Sequence, residues 1–172
     1  MMAPTLTTDR LVLRALSMTD WEPYAAMWAD ERTTTFIGGT PRLRDVAWAK
    51  FCQSAGLWSL LGYGYWSVIL RDRDAFIGIA GFAQFERGYP ALEGYPEAGW
   101  AFAPDVWGQG YASETVAAFV AWGDANLNVN ETRCMIDHGN FASVAVAVRN
   151  GYVESNELAI DMPVFRRPAP SV

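Results

Sequence analysis

Apolar residues recur at helical spacing in four segments of the chain. The clearest pattern follows Gly108 and Gly110, where apolar positions lie three, four or seven residues apart and would share one helix face. These positions are Ala112, Val116, Phe119, Val120, Gly123 and Leu127. A shorter pattern covers residues 141–150 and is stopped by Gly151. Both segments are predicted to be helices.

Two more helices are predicted in the first third of the chain, each from a capping signal. Thr19 and Glu22 have the spacing of a capping box, and apolar residues continue from there to Trp28. Thr40 and Pro41 suit the N-cap and the first turn of the next helix. Five residues of that helix are predicted to face inward: Leu43, Ala47, Phe51, Ala55 and Trp58.

Strands are predicted where β-branched and aromatic residues alternate or cluster between turn residues. They cover residues 8–15, 65–70, 75–85, 97–103 and 132–137, and residues 152–167 have room for two more. The order β-α-α-β-β-β-α-β-α-β-β predicts an α/β (α+β) fold, in which helices flank one mixed, mostly antiparallel sheet. At 172 residues, the chain is expected to form a single domain, residues 1–172.

Composition excludes several classes of partner. The chain has 13 basic and 19 acidic residues, a net charge of −6 and no basic run, so nucleic acid is not an expected partner. Apolar segments are too short for a membrane helix and the first residues do not resemble a signal peptide, so we expect a soluble cytoplasmic protein. Cys52 and Cys134 stand apart without zinc-site spacing, which predicts reduced structural thiols and no metal.

Gly108 and Gly110 precede a helix, and this arrangement predicts an anion site. The first turn of a helix has free N–H groups and partial positive charge, and glycines allow a phosphate to approach the backbone. A plain turn before a helix is the structural alternative. The segment lacks the Gly-Lys-Ser/Thr of a nucleotide P-loop, and Ser113 replaces the third glycine of a dinucleotide fingerprint.

Three longer runs resemble one family. They are TDRLVLRALSMTDW near the start, EAGWAFAPDVWGQGYASE, and HGNFASVAVAVRNGYVE some thirty residues later. Together they are similar to the GNAT acyl-CoA-dependent N-acetyltransferases, and within them to the branch that contains the ribosomal-protein-alanine N-acetyltransferases. The resemblance implies acetyl-CoA as co-substrate and an amine as acceptor, either a peptide N-terminus or a small amine.

The resemblance also assigns cofactor contacts. The family's glycine-rich turn holds the pyrophosphate through main-chain N–H groups, and the matching residues here are Trp107, Gly108, Gln109, Gly110, Tyr111 and Ala112. Trp107 departs from the family's Arg or Gln, so we expect weaker electrostatic attraction and retained binding. Asn140 matches the asparagine that hydrogen-bonds the pantetheine arm, although an N-cap role for the helix at residue 141 is an alternative.

Candidate catalytic residues follow from the same comparison. Glu97 corresponds to a carboxylate that acts as a base through water, and the apolar neighbours Ala98, Trp100 and Phe102 are expected to raise its pKa. A solvent-facing Glu97 is the alternative. Ser143 matches a serine that protonates the departing sulfur in one branch of the family. Orienting the sulfur is the alternative role. Tyr111 and Tyr152 are further candidates for the acid, without positional support. His138, just past a strand and beside Asn140, is expected to make a structural hydrogen bond, and a role as second base is the alternative.

The function predicted is acetyl transfer to a primary amine by direct attack, since neither cysteine falls at the mapped site. Oxyanion stabilisation is expected from a strand N–H within residues 100–103. The acidic composition and the aromatic loops at residues 63–66 and 85–89 favour a cationic acceptor. A non-catalytic acyl-CoA-binding or sensing module and a carrier of apolar ligands are the alternatives. Tryptophans around the second helix would permit a homodimer.

Overall fold

An eight-stranded sheet organises the chain in the computed structural model, which describes residues 3–170. The strand order is β1-β2-β3-β4-β5-β6-β8-β7, and neighbours are antiparallel except for the parallel pair β5 and β6. The strands are β1 Leu6–Thr7, β2 Leu11–Arg14, β3 Tyr65–Leu70, β4 Ala75–Ala83, β5 Glu97–Phe102, β6 Glu131–Met135, β7 Val153–Ala159 and β8 Met162–Pro168. The predicted mixed, mostly antiparallel sheet is confirmed.

Helices cover both faces of this sheet. They are α1 Trp21–Ala29, α2 Glu31–Thr34, α3 Arg44–Leu61, α4 Tyr111–Asn126 and α5 Phe141–Arg149. Buried side chains of α4 and α5 pack on one face of the central strands, whereas those of α1 and most of α3 pack on the other. Within residues 3–170, helix length and hydropathy fall short of what crossing a bilayer requires.

The start of α3 was predicted wrongly. The helix begins at Arg44, and its N-cap is Leu43, whose side chain is 72% exposed and makes no capping bond. The reason is tertiary: the Arg42 N–H donates to the Trp28 carbonyl over 2.9 Å, and this bond ties the preceding segment to the end of α1. The later start also changes the inward face. Ala47, Phe51 and Trp58 are buried as predicted, but Ser54 and Leu57 replace Leu43 and Ala55.

A capping box does precede α1, but at another position. Ser17 and Asp20 form it, in place of the predicted Thr19 and Glu22. Asp20 is 2% exposed and accepts two bonds of 2.7 Å from Arg14, one of 2.9 Å from the Ser17 N–H and one of 2.7 Å from the Ser67 hydroxyl. Burial opposes ionisation, yet these donors hold the pKa of Asp20 below its ordinary value. The carboxylate therefore joins β2, β3 and the start of α1.

Replacing Asp20 by alanine is expected to lower the free energy of unfolding by about 3 kcal/mol, the lower end for breaking a buried ion pair, because Arg14 is partly exposed. A group with a depressed folded pKa contributes stability above its unfolded pKa and loses it at lower pH. The difference between wild type and variant should therefore narrow below about pH 4. Urea unfolding at neutral and acidic pH measures this. Asp72→Ala, at an exposed turn, is the control, and equal losses in both variants would contradict the account.

The sheet opens between its two parallel strands. β5 and β6 are paired only at Glu97 and Arg133, where the Arg133 N–H donates to the Pro96 carbonyl over 3.1 Å. Beyond this point the strands diverge towards the carboxyl end of β5. In an open sheet, such a divergence exposes strand edges to a ligand.

Candidate functional site

A cavity of ≈ 550 Å³ occupies the divergence between β5 and β6. Its walls come from α1, the segment before α3, α3 itself, β5, β6, the first turn of α5 and the turn between β7 and β8. Three of the predicted site residues, Glu97, Asn140 and Ser143, line this one cavity, although they are far apart in the chain. The sheet topology therefore brings the candidate base, the asparagine and the serine together.

Glu97 is a buried carboxylate on the cavity wall. It is 9% exposed and forms an ion pair with Arg87 from the loop before β5. Burial raises the pKa of Glu97 above its ordinary value, while the hydrogen bond and charge of Arg87 lower it in part. The solvent-facing alternative is therefore wrong.

The source of that burial differs from the prediction. Side chains alternate along a strand, so Ala98 and Phe102 point to the α4 face and belong to the other core. Glu97 shares the opposite face with Gly99 and Ala101, where Tyr65 packs. A Cβ at Gly99 would lie 2.3 Å from the Tyr65 hydroxyl, so glycine makes room for this phenol. Burial, and next the charge of Glu97, raise the pKa of Tyr65, which stays protonated.

The free edge of β5 presents backbone donors to the divergence. The Ala103 N–H donates to the Ile77 carbonyl over 2.9 Å, so alternation in the antiparallel ladder directs the odd-numbered residues of β5 to β4. The N–H groups of Trp100 and Phe102 consequently face β6. This narrows the predicted oxyanion donors within residues 100–103 to these two.

The glycine turn lies just past the carboxyl end of β5, outside the cavity lining. Gly108 and Gly110 have φ of +73° and +81°, which glycine adopts readily. A Cβ at Gly108 would meet nothing within 4 Å. Among residues 3–170, no acceptor receives the N–H groups of residues 108–113, so the turn presents a row of free donors to solvent.

One member of the predicted phosphate-binding set is occupied. The Trp107 N–H donates to the Pro104 carbonyl over 3.2 Å, and its indole N–H donates to the Phe102 carbonyl over 2.9 Å. The prediction of a free Trp107 N–H is therefore wrong, because a short 3₁₀ turn at Pro104–Val106 uses it. Trp107 instead joins the turn to the end of β5.

Asn140 and Ser143 sit on the first turn of α5. The Asn140 side-chain oxygen accepts the Ser143 N–H over 3.1 Å and caps the helix, as the structural alternative predicted. Its side-chain NH₂ and the Ser143 hydroxyl donate to no acceptor within the described residues. Both groups are thus available to a molecule in the cavity.

The other candidates have structural partners. The His138 ring donates from Nε2 to the Asp161 carbonyl over 3.2 Å, and His138 lies outside the cavity lining. The Tyr152 hydroxyl is buried against Thr132 at 2.8 Å. Tyr111 packs beneath the Arg10 guanidinium at 4.5 Å from its ring centre. These positions favour stabilising roles for all three side chains.

The chain is similar to known proteins over most of its length. A family model described as the acetyltransferase (GNAT) domain matches residues 10–153. The chain belongs to the GNAT acetyltransferase family. An N-acetyltransferase of Bacillus licheniformis, p20, is 30% identical over 142 residues, which cover 81% of this chain and 77% of that protein. The crystal structure of an acetyltransferase from Agrobacterium tumefaciens is 30% identical, with a TM-score of 0.84 across 96% of this chain and 95% of the other.

One solved structure of lower sequence identity shares the fold with this chain, and the likeness extends no further than the fold. It is RimL, a ribosomal alpha-N-protein acetyltransferase in complex with coenzyme A, with 14% identity, a TM-score of 0.76 and coverage of 96% and 98% of the two chains. Family membership makes this chain an acetyl-CoA-dependent N-acetyltransferase.

Both cysteines of this GNAT domain were predicted to lie away from the site. For Cys134 that prediction is wrong. Cys134 lines the cavity from β6, because the divergence of the sheet exposes that strand to the cavity. It is 1% exposed. Burial and then the nearby charge of Glu97 raise the pKa of the thiol. Cys134 is thus a protonated thiol and a poor nucleophile, so its position adds no covalent route.

The aromatic loop at residues 85–89 of the GNAT domain also differs from expectation. The Phe85 ring faces Arg87 at 4.9 Å and Lys50 at 5.6 Å, and the Tyr89 ring faces Arg87 at 5.1 Å. The protein's own cations occupy these ring faces, so the loop at residues 85–89 does not offer them to a cationic acceptor. The net charge of the chain does not predict that Arg87 and its single lysine, Lys50, lie against these rings.

Proposed function

We propose that this GNAT domain transfers the acetyl group of acetyl-CoA to a primary amine by direct attack of the nitrogen on the thioester. The acceptor is a protein N-terminal α-amine or a small-molecule amine. The observation that carries the proposal is the buried carboxylate of Glu97, whose pKa burial raises, on the wall of the cavity. Amines titrate near about 8 to 10.4, so an acceptor must lose a proton before or during attack.

The free N–H groups from Gly108 to Ala112 are proposed to hold the diphosphate of acetyl-CoA. Their support is the open space at Gly108, the lack of protein acceptors among residues 3–170 and the position at the start of α4. RimL, which has the same fold, was solved in complex with coenzyme A. Trp107 would contribute through its bond to the end of β5, and the Asn140 NH₂ would contact the pantetheine arm.

The cavity residues suggest one order of events. The amine nitrogen bonds to the thioester carbon while its proton passes to Glu97, directly or through water. The Trp100 N–H, which faces the divergence, stabilises the developing oxyanion. The C–S bond then breaks, and the sulfur, oriented by the Ser143 hydroxyl, takes a proton from water, while Glu97 releases to water the proton that it accepted. The products are the N-acetylated amine and the free thiol of coenzyme A.

Release of free thiol from acetyl-CoA tests this function. A panel of peptide N-termini and small amines should contain acceptors that accelerate thiol release and gain an acetyl group by mass. Binding of coenzyme A without amine-dependent release from any acceptor would instead support a non-catalytic sensing module. Binding of hydrophobic dyes but not of coenzyme A would support a carrier.

Arg87→Gln is expected to move the acidic limb of kcat/KM to higher pH. The base must be deprotonated to act, so the rate falls as pH drops through its pKa. Arg87 lowers the pKa of Glu97, and its removal therefore leaves the effect of burial unopposed. The pH profile with an uncharged amine acceptor measures this. Arg73→Gln in the exposed β3–β4 turn should leave the limb unchanged, and an unmoved limb in Arg87→Gln would contradict the assignment.

A further inference from the structure

Three basic side chains line the cavity that contains Glu97. Arg42 comes from the segment before α3, Lys50 from α3 and Arg87 from the loop before β5. Arg87 is neutralised by its ion pair with Glu97. Within residues 3–170, neither Arg42 nor Lys50 has a carboxylate within 4 Å. The overall acidic chain therefore places two uncompensated positive charges on one wall of its cavity.

Arg42 is held in place by a cation–π contact and a backbone hydrogen bond, without a salt bridge among the described residues. Its guanidinium lies 3.6 Å from the centre of the Trp28 ring, and its backbone N–H is held by the Trp28 carbonyl. Its side-chain N–H groups donate to no acceptor among the described residues. Burial lowers the pKa of Arg42. A positioned guanidinium with free donors matches the geometry of a carboxylate or a phosphate.

Lys50 adds a second cation on the same wall. Its ammonium has one hydrogen bond, to Gln53 at 3.3 Å, and faces the Phe85 ring. Burial, followed by the charges of Arg42 and Arg87, lowers the pKa of Lys50. Lys50 and Arg87 lie over the same Phe85 ring, and Arg42 lines the same cavity, so the three cations share one region of the site. Bringing like charges together is unfavourable, and a bound anion would offset it.

Tyr65 connects this cationic wall to the candidate base. Its ring stacks on the Phe85 ring with 6.3 Å between centres, and Lys50 faces that same ring, whereas its hydroxyl lies against Gly99 on the strand that carries Glu97. The acidic groups Asp137 and Asp161 line the cavity from the segment after β6 and from the β7–β8 turn, on elements other than those that carry Arg42 and Lys50. One molecule can therefore contact the base and the cations together.

We propose that the acceptor is a small primary amine that also carries a carboxylate or a phosphate. Its amine faces Glu97, and its anionic group is bound by Arg42 and Lys50. The proposal rests on the proposed acetyltransferase function and adds the substrate class. It replaces the cationic acceptor expected from net charge, since a polycation would meet Arg42 and Lys50 unfavourably.

Matched acceptor pairs test this class. Each pair keeps the amine and removes the anion: an amino acid against the corresponding amine, and phosphoethanolamine against ethanolamine. The first pair reports carboxylate recognition and the second phosphate recognition. We expect kcat/KM to favour the anionic member of at least one pair by about tenfold or more, as for a charge-assisted hydrogen bond. Acetyl transfer with equal or better rates for the members that lack the anionic group, in both pairs, would overturn the proposal.

Variants connect the preference to the two cations. Arg42→Gln and Lys50→Gln should each lower kcat/KM for the preferred anionic acceptor about tenfold, through KM, and leave kcat/KM for the amine without an anionic group within about twofold. Lys50 is exposed at the surface of α3, so its variant is expected to fold even where Arg42→Gln does not. Arg149→Gln, at the end of α5 and outside the cavity, is the matched control.

The two proposals fail in different ways. If no amine is acetylated, the proposed function fails. If amines are acetylated but Lys50→Gln lowers the rates equally for acceptors with and without an anionic group, only the substrate class is overturned.

Discussion

Replacing Glu97 by glutamine is expected to lower kcat for amine acetylation by about 10²- to 10⁴-fold near neutral pH, the usual contribution of a general base. The amide nearly preserves the shape of the side chain but cannot accept the proton. In the wild type, burial places the pKa of Glu97 above the ordinary glutamate value, so the rate should fall as pH drops through that raised pKa. In the variant this limb should disappear, and the rate should follow the fraction of neutral amine.

Two controls separate this effect from damage to the fold. Coenzyme A binding by Glu97→Gln should match the wild type, because the proposed diphosphate contacts lie in the turn after β5. Glu154→Gln, on an exposed position of β7, should keep full activity. A wild-type kcat and an unchanged pH profile in Glu97→Gln would show that another group, or solvent, takes the proton.

Alanine at both Gly108 and Gly110 is expected to raise the Kd for coenzyme A about 10- to 100-fold. Both glycines have positive φ, a conformation that costs an L-residue roughly 1–2 kcal/mol. Relief of this strain would turn the N–H groups away from the diphosphate. Each charge-assisted bond lost is worth about 1.5–3 kcal/mol. The new Cβ atoms would also occupy space that the phosphates need. Calorimetric titration with coenzyme A measures the change.

The matched control carries the same backbone strain elsewhere. Gly62 and Gly88 have φ of +76° and +71°, and neither has an atom within 4 Å of an added Cβ. Gly62→Ala combined with Gly88→Ala should therefore lower stability to a similar extent and leave the Kd unchanged. Equal losses of affinity in the two double variants would mean that general destabilisation, and not the turn, explains the result.

The helix after the glycine turn could be predicted from the sequence because its apolar spacing is regular over four turns. Val116, Phe119 and Val120 are buried as that spacing predicts. The turn itself could be predicted because positive φ favours glycine, so Gly108 and Gly110 mark it in the sequence. The order of the longer strands followed equally from alternation and turn residues.

Elements fixed by tertiary contacts were less accessible. The start of α3 depends on the bond between Arg42 and Trp28, which no local capping rule contains. β1 Leu6–Thr7 and α2 Glu31–Thr34 are short elements without a periodic pattern of their own. Thr19 and Glu22 fit the capping-box pattern, but the bonds from Arg14 and Ser67 favour Asp20 instead.

The residues of the site were predicted unevenly for a related reason. Glu97, Asn140 and Ser143 each lie next to a recognisable motif, whereas Arg42, Lys50 and Cys134 reach the cavity only through packing. Alternation along β5 shows that Glu97 and Trp100 point to opposite faces, but not which face a helix covers. The divergence of β5 and β6 depends on pairing across the sheet, so the exposure of Cys134 to the cavity had no sequence signal.

The central claim is that free N–H groups at the start of α4 bind the diphosphate of acetyl-CoA. Amide NMR spectra of the ¹⁵N-labelled protein, recorded during titration with coenzyme A, test it most directly. The account predicts saturable downfield shifts of the Gly108–Ala112 signals, because each N–H gains a charged acceptor, with little change at the already bonded Trp107 N–H. Unchanged signals from this segment at saturating coenzyme A would contradict it.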